Sequence, residues 1–174
     1  MENGLADGNG GAVGAGQSLC AGDWLPYLDG RLQLLCSGDQ LKPIVVRGQR
    51  LWIAERHCRA TAWQPLLEQW FRRQAALYLP IRLSAWSARM GVDFQRLTIR
   101  NPRRRWGSCS VQGSINLNWR LIWLPVRLGD YVLVHELSHL RHMDHSPAFW
   151  QLVANYVPDY RECRRQLRQI VLPW

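Results

Sequence analysis

The chain has 174 residues, 47% of them apolar, and a net charge of +9. That length and composition exclude a disordered polymer and allow one domain with a hydrophobic core. Of 22 basic residues only Lys42 is lysine, so the charge is carried by guanidinium groups suited to bidentate pairing with phosphate or carboxylate, and DNA or nucleotides become partners to weigh against a simply solvated basic surface.

Residues 1–18 contain six glycines and almost nothing to bury. They are expected to form a disordered Gly-rich tail ahead of a single domain over 19–174. Residues 31–35 (RLQLL) and 44–54 (IVVRGQRLWIA) read as short strands, with Arg47-Gly48-Gln49 as a turn. From Thr61 to Leu79 apolar residues recur at helical spacing. Pro80 is expected to end that helix, and a shorter one follows to about Met90, closed by Gly91.

The period then changes. Phe94–Arg100 alternates as a strand does, Asn101-Pro102 breaks it, and Trp106–Val111 and Ser114–Trp119 read as two strands joined at Gln112-Gly113. On the last of these, Ile115, Leu117 and Trp119 share one face and Asn116 and Asn118 the other. From Pro125 the pattern is a helix apolar on nearly every side, hence buried. Two further helices, about 147–157 and 160–171, close the chain. The order of strands and helices gives an α+β class, with a small, mostly antiparallel sheet against the buried helix.

Five cysteines, an odd number without a CxxC pair, argue against a disulfide framework and for a reducing compartment. The first 30 residues carry no Lys or Arg, and no apolar stretch reaches 18 residues. The expected location is cytoplasmic, with no membrane contact.

Four of the five histidines fall in the stretch HELSHLRHMDH, residues 135–145. His135 and His139 are four apart and share one helix face, about 6 Å apart along the axis. Glu136 sits beside them, and a buried carboxylate needs a reason to be there; serving as general base toward a zinc-bound water is one. A catalytic zinc takes three protein ligands and keeps one position open. His142 lies about 10 Å further along a straight helix than His135, too far to share one ion. Glu162 is 23 residues after His139, but Asp159-Tyr-Arg-Glu162 also reads as a capping box. His145 precedes Ser146-Pro147, an N-cap followed by proline at the first helical position. A turn can return it to the pair and a helix start can fix it. His135, His139 and His145 are therefore the favoured ligands of one zinc per chain, with Glu162 as the alternative to His145.

HExxHxxxxxH has the metzincin spacing, but His142 stands where metzincins have glycine, and no methionine follows Met143 for a Met-turn. A different resemblance rests on Arg105-Trp-Gly-Ser-Cys109, Ile115-Asn-Leu-Asn-Trp-Arg120, Asp130–His139 and His145-Ser-Pro-Ala-Phe-Trp150. These segments resemble the YgjP-like metallopeptidase family, related to SprT-like and WLM-type zinc metalloproteases. The resemblance implies a minimal zincin-like fold and a zinc held as above. It also implies two activities, peptide hydrolysis and nucleotide pyrophosphate hydrolysis.

Three functions follow. The first is an HExxH zinc metallopeptidase acting on polypeptide, with Glu136 as general base and strand 114–119 as the edge that aligns substrate. The second is a metal-dependent nucleotide pyrophosphatase or phosphohydrolase, with Arg103, Arg104 and Arg105 on phosphate, Trp106 stacked on a base and Asn116 beside the site. The third is a non-catalytic nucleic-acid-binding module with a structural zinc, for which His142, Asp144 and Cys109 are the only further ligands in view. Cys109 otherwise reads as a small buried hydrophobe.

Overall fold

The computed structural model describes residues 19–38, 40–58 and 63–170. The expected tail over 1–18 and the expected helix start at Thr61 lie outside these residues. The described residues form two compact units, one of residues 19–26, 31–38, 40–58 and 63–64 and the other of residues 27–30 and 65–170.

The first unit carries a four-stranded sheet in the order β1-β2-β4-β3, built from β1 (Trp24–Tyr27), β2 (Gly30–Ser37), β3 (Ile44–Arg47) and β4 (Arg50–Ala54). β3 and β4 form the expected hairpin, and Gly48 supplies its positive φ of 58°. β4 then runs parallel to β2, which sequence reading did not foresee. Leu32, Leu34, Leu51 and Ile53 are buried on the strands by period-two alternation. Parallel pairing sets Cys36 opposite Ile53, and the chain turns back so that Cys58 joins Cys36 in a disulfide at a Cα–Cα separation of 6.4 Å. An odd cysteine count could not reveal this pair, since it depends on strand register. The bond removes the cysteine argument for a reducing compartment.

The second unit holds the rest. Helix α1 runs from Trp63 to Met90 without interruption, so the expected break at Pro80 does not occur. Leu67, Phe71, Ala75, Leu79, Leu83 and Met90 form one buried stripe that passes straight through the proline. Burying such a stripe yields more than the roughly 3 kcal/mol a mid-helix proline costs. Gly91, at φ 61°, ends the helix as expected. Phe71 meets Trp119 and Trp123, whose rings cross edge to face at 4.7 Å, so these tryptophans are core.

A three-stranded sheet follows in the order β5-β7-β6: β5 (Arg96–Arg100), β6 (Gly107–Cys109) and β7 (Ser114–Asn118). The α+β class holds, but the strands make two sheets, each with a parallel pair, rather than one mostly antiparallel sheet. β7 lies between β5 and β6, so the strand expected at the open edge is central. β6 is the edge.

Helix α2 (Val126–Ser138) starts behind Pro125, and the carboxylate of Asp29 accepts from Val126 N at 2.7 Å. It is buried along most of its length and packs on β6, α3 (Pro147–Tyr156) and α4 (Tyr160–Gln169). Ser146 caps α3, accepting from Phe149 N, with Pro147 in the first turn. The capping box expected at α4 is absent, because the Asp159 carboxylate pairs with Arg127 instead of the helix N-terminus. No helix among the described residues is long and apolar enough to cross a membrane.

Candidate metal centre

α2 ends at Ser138 with His139 as its C-cap, and the chain then leaves the helix. That early exit is what lets His145 return. His135, His139 and His145 each offer a ring nitrogen, and the three nitrogens lie within 4.8 Å of one another. Ring centroids are 5.0, 4.9 and 5.1 Å apart, nearly an equilateral triangle. Nε2 of His135 and Nε2 of His145 are 3.3 Å apart. Two nitrogens on one tetrahedral zinc, at bonds of about 2.0–2.1 Å, sit about 3.3–3.4 Å apart.

Protonation agrees with that fit. Burial, followed by the neighbouring His139, His145 and Arg164 charges, pushes His135 down to about 3. Burial also lowers His139. Neutral imidazoles are the form that binds metal. Nδ1 of His139 lies 3.0 Å from the His142 carbonyl. A carbonyl only accepts, so Nδ1 carries the proton and Nε2 is left with its lone pair. His142 thus acts through its backbone, and its ring is not in the cluster. Nδ1 of His135 is buried with no hydrogen-bond partner. The donor set fits a zinc ion.

Phe149 is the residue that sequence reading missed. It is fully buried, and its ring lies 4.6 to 5.0 Å from all three histidine rings. It forms an apolar floor beneath them, delivered by the Ser146 cap. Trp150, next along α3, stacks on His145 at 5.5 Å.

Glu136 is 6% exposed. Burial raises its carboxyl to about 8, against a smaller lowering by Arg105. Gly107 on β6 makes room for it: a Cβ there would stand 2.6 Å from Oε1 of Glu136 and 2.7 Å from its Cγ. A glycine inside a strand signals close approach of another group, and that signal was present in the sequence.

Beside the triad lies a cavity of about 280 Å³, whose walls include Arg105, Trp106, His135 and Glu136. Arg103 and Arg104 are exposed and do not line it. Asn116 is outside it too; its amide donates to Ser108 Oγ at 3.3 Å. Asn118 holds the arginine loop instead, donating to the carbonyls of Pro102 and Arg105. Glu162 is bound to Arg165 and Gln166, away from the histidines. Cys109 is kept a thiol, raised to about 11 by burial and the Glu136 charge. Among the described residues no fourth ligand joins the three histidines.

Two solved structures resemble part of the chain. The metallopeptidase zymogen abylysin of Pyrococcus abyssi shares 24% identity over 52% of this chain and 91% of its own, with a TM-score of 0.48. The zymogen jannalysin of Methanocaldococcus jannaschii shares 18% over 52% and 93%, with a TM-score of 0.46. No curated protein matches the chain. The family model described as YgjP-like, metallopeptidase domain, matches residues 12–170, and the chain belongs to the YgjP-like metallopeptidase family.

Proposed function

We propose that the chain is a zinc-dependent peptidase, with one zinc held by His135, His139 and His145 and with Glu136 as general base. The observation that carries the reading is the convergence of three imidazoles beside a buried carboxyl in the wall of a cavity. Zinc at such a site supplies Lewis acidity toward a water and toward the substrate carbonyl.

The protein's own groups do the rest. Glu136, as the carboxylate, takes the proton of the attacking water and returns it to the departing amine. Phe149 closes one side of the histidine cluster with a buried apolar ring, while His145 stays open to solvent. β6 is an open sheet edge next to Glu136, so an extended peptide aligns on β6 by strand addition.

The phosphohydrolase reading loses support where Arg103 and Arg104 stand away from the cavity, and Asn116 with them. The structural-zinc reading lacks a fourth ligand among the described residues.

Elemental analysis of the wild type beside His145→Ala is the test. One zinc in the wild type, a sharp loss in the variant and hydrolysis of a casein substrate by the wild type alone are expected. One zinc in both would replace His145 by another ligand. No zinc in either after metal-replete purification would end the enzyme reading.

A further inference from the structure

The cavity beside the triad carries more positive charge than hydrolysis requires. Arg105 enters it from the loop before β6, and Arg164 and Arg168 enter it from one face of α4, four residues apart. Among the described residues, the one acidic group in its wall is Glu136. In the same unit Arg72, Arg82, Arg127 and Arg165 are each paired with an acid. Arg105, Arg164 and Arg168 form no ion pair with any described residue.

All three line the same cavity as His135 and Glu136. Arg164 is also steadied, its guanidinium lying 5.2 Å above the Trp150 ring. Like charges gathered around one space repel unless an anion joins them, and the arginine fork matches a carboxylate in a bidentate way. Ligand sites usually run from about 300 to 1,000 Å³. About 280 Å³ is at the small end, room for a residue or two of a peptide rather than a whole nucleotide.

We propose that the three arginines bind a carboxylate of the peptide substrate beside the scissile bond, either an acidic side chain or a free C-terminus. Cleavage at that position rests on the peptidase reading above; binding does not.

Zinc-loaded protein is titrated calorimetrically at low salt with three probes: acetyl-Ala-Glu-Ala-amide, acetyl-Ala-Ala-Ala with a free carboxylate, and acetyl-Ala-Gln-Ala-amide. At least one carboxylate probe is expected to bind about tenfold tighter than the glutamine probe. Which one does so identifies the source of the carboxylate. The advantage is expected to vanish in the double variant Arg164→Gln, Arg168→Gln with its zinc content intact; Arg168→Gln alone, on exposed helix surface, serves if the double variant does not fold. Equal binding of all three probes, or a preference that survives in the variants, overturns the proposal. ATP binding tighter than either peptide and lost in the variants overturns the peptide source. Internally quenched forms of the probes report cleavage separately. Preferential binding with no cleavage defeats the peptidase reading and leaves the carboxylate site standing, while cleavage without preference does the reverse.

Discussion

Asp130 and Glu136 lie six residues apart on α2, the first half-buried and the second buried. Asp130 is met by Arg82, which donates from Nε and Nη2 at 2.7 and 2.5 Å. That partner is itself held more firmly protonated by the same contact. Glu136 has no hydrogen bond or ion pair among the described residues, and burial pushes it to about 8. One carboxylate is compensated and belongs to the architecture. The other is uncompensated, and an uncompensated buried acid is costly enough to need a function.

The sharpest way to break this contrast is Glu136→Gln. The shape is kept and the proton acceptor is lost. Turnover should fall about 10²–10⁴-fold in kcat, the usual contribution of a general base. Zinc content should not change and thermal stability should hold or rise, because a buried ionisable group is removed. Peptide hydrolysis, elemental analysis and a melting curve on one preparation test all three. Full turnover in the variant would remove Glu136 from the chemistry.

Gly107→Ala sharpens the comparison from the other side. The new methyl would stand 2.6 Å from Oε1 of Glu136, closer than carbon tolerates, and the side chain must move. Displacement of a catalytic group by about 1 Å is worth up to about 10²-fold, so kcat/KM should fall about 10- to 100-fold with zinc retained. Unchanged kcat/KM would show that Glu136 acts from another position.

Asp130→Asn reverses the pattern. Activity per zinc-loaded molecule should remain, while stability falls because Arg82 is left without its acid. A fully buried pair would cost about 3–5 kcal/mol to break. Solvent reaches Arg82, whose side chain is 39% exposed, so about 1–2 kcal/mol is expected from denaturant unfolding. Equal loss of activity and stability would dissolve the distinction between the two carboxylates.

Much of this site is local, and the local part was legible. His135 and His139 follow from helical period, and the return of His145 follows from Ser146-Pro147, because a cap and an N-terminal proline fix where α3 starts. What was not legible depends on distant packing. Phe149 becomes the floor of the triad only when α3 docks on α2. Arg164 and Arg168 reach the cavity from a helix begun after Pro158, and Arg103 and Arg104 do not reach it although they are neighbours of Arg105. The same holds for the fold. Alternation found the strands, but parallel pairing of β5 with β7 places the intervening β6 at the edge, which alternation cannot report. Pro80 misled because local cost was read without the buried stripe on either side of it.

Glu162 gives the smallest effect and closes the comparison of acids. It is an exposed carboxylate on α4, fully compensated by Arg165 and Gln166, which hold it at about 2 against an ordinary 4.5. A depressed folded value stabilises the protein above the unfolded value, and the gain is lost as pH falls from about 4.5 toward 2. Wild type should therefore melt slightly above Glu162→Gln at neutral pH, and the two curves should merge in acid. An exposed pair adds little, and salt should shrink the difference further. Zinc content is the decisive readout. It should be the same in both proteins, because this carboxylate already has its partners; a loss of zinc in Glu162→Gln would make it the third ligand in place of His145 and undo the contrast from which the Glu136 assignment starts.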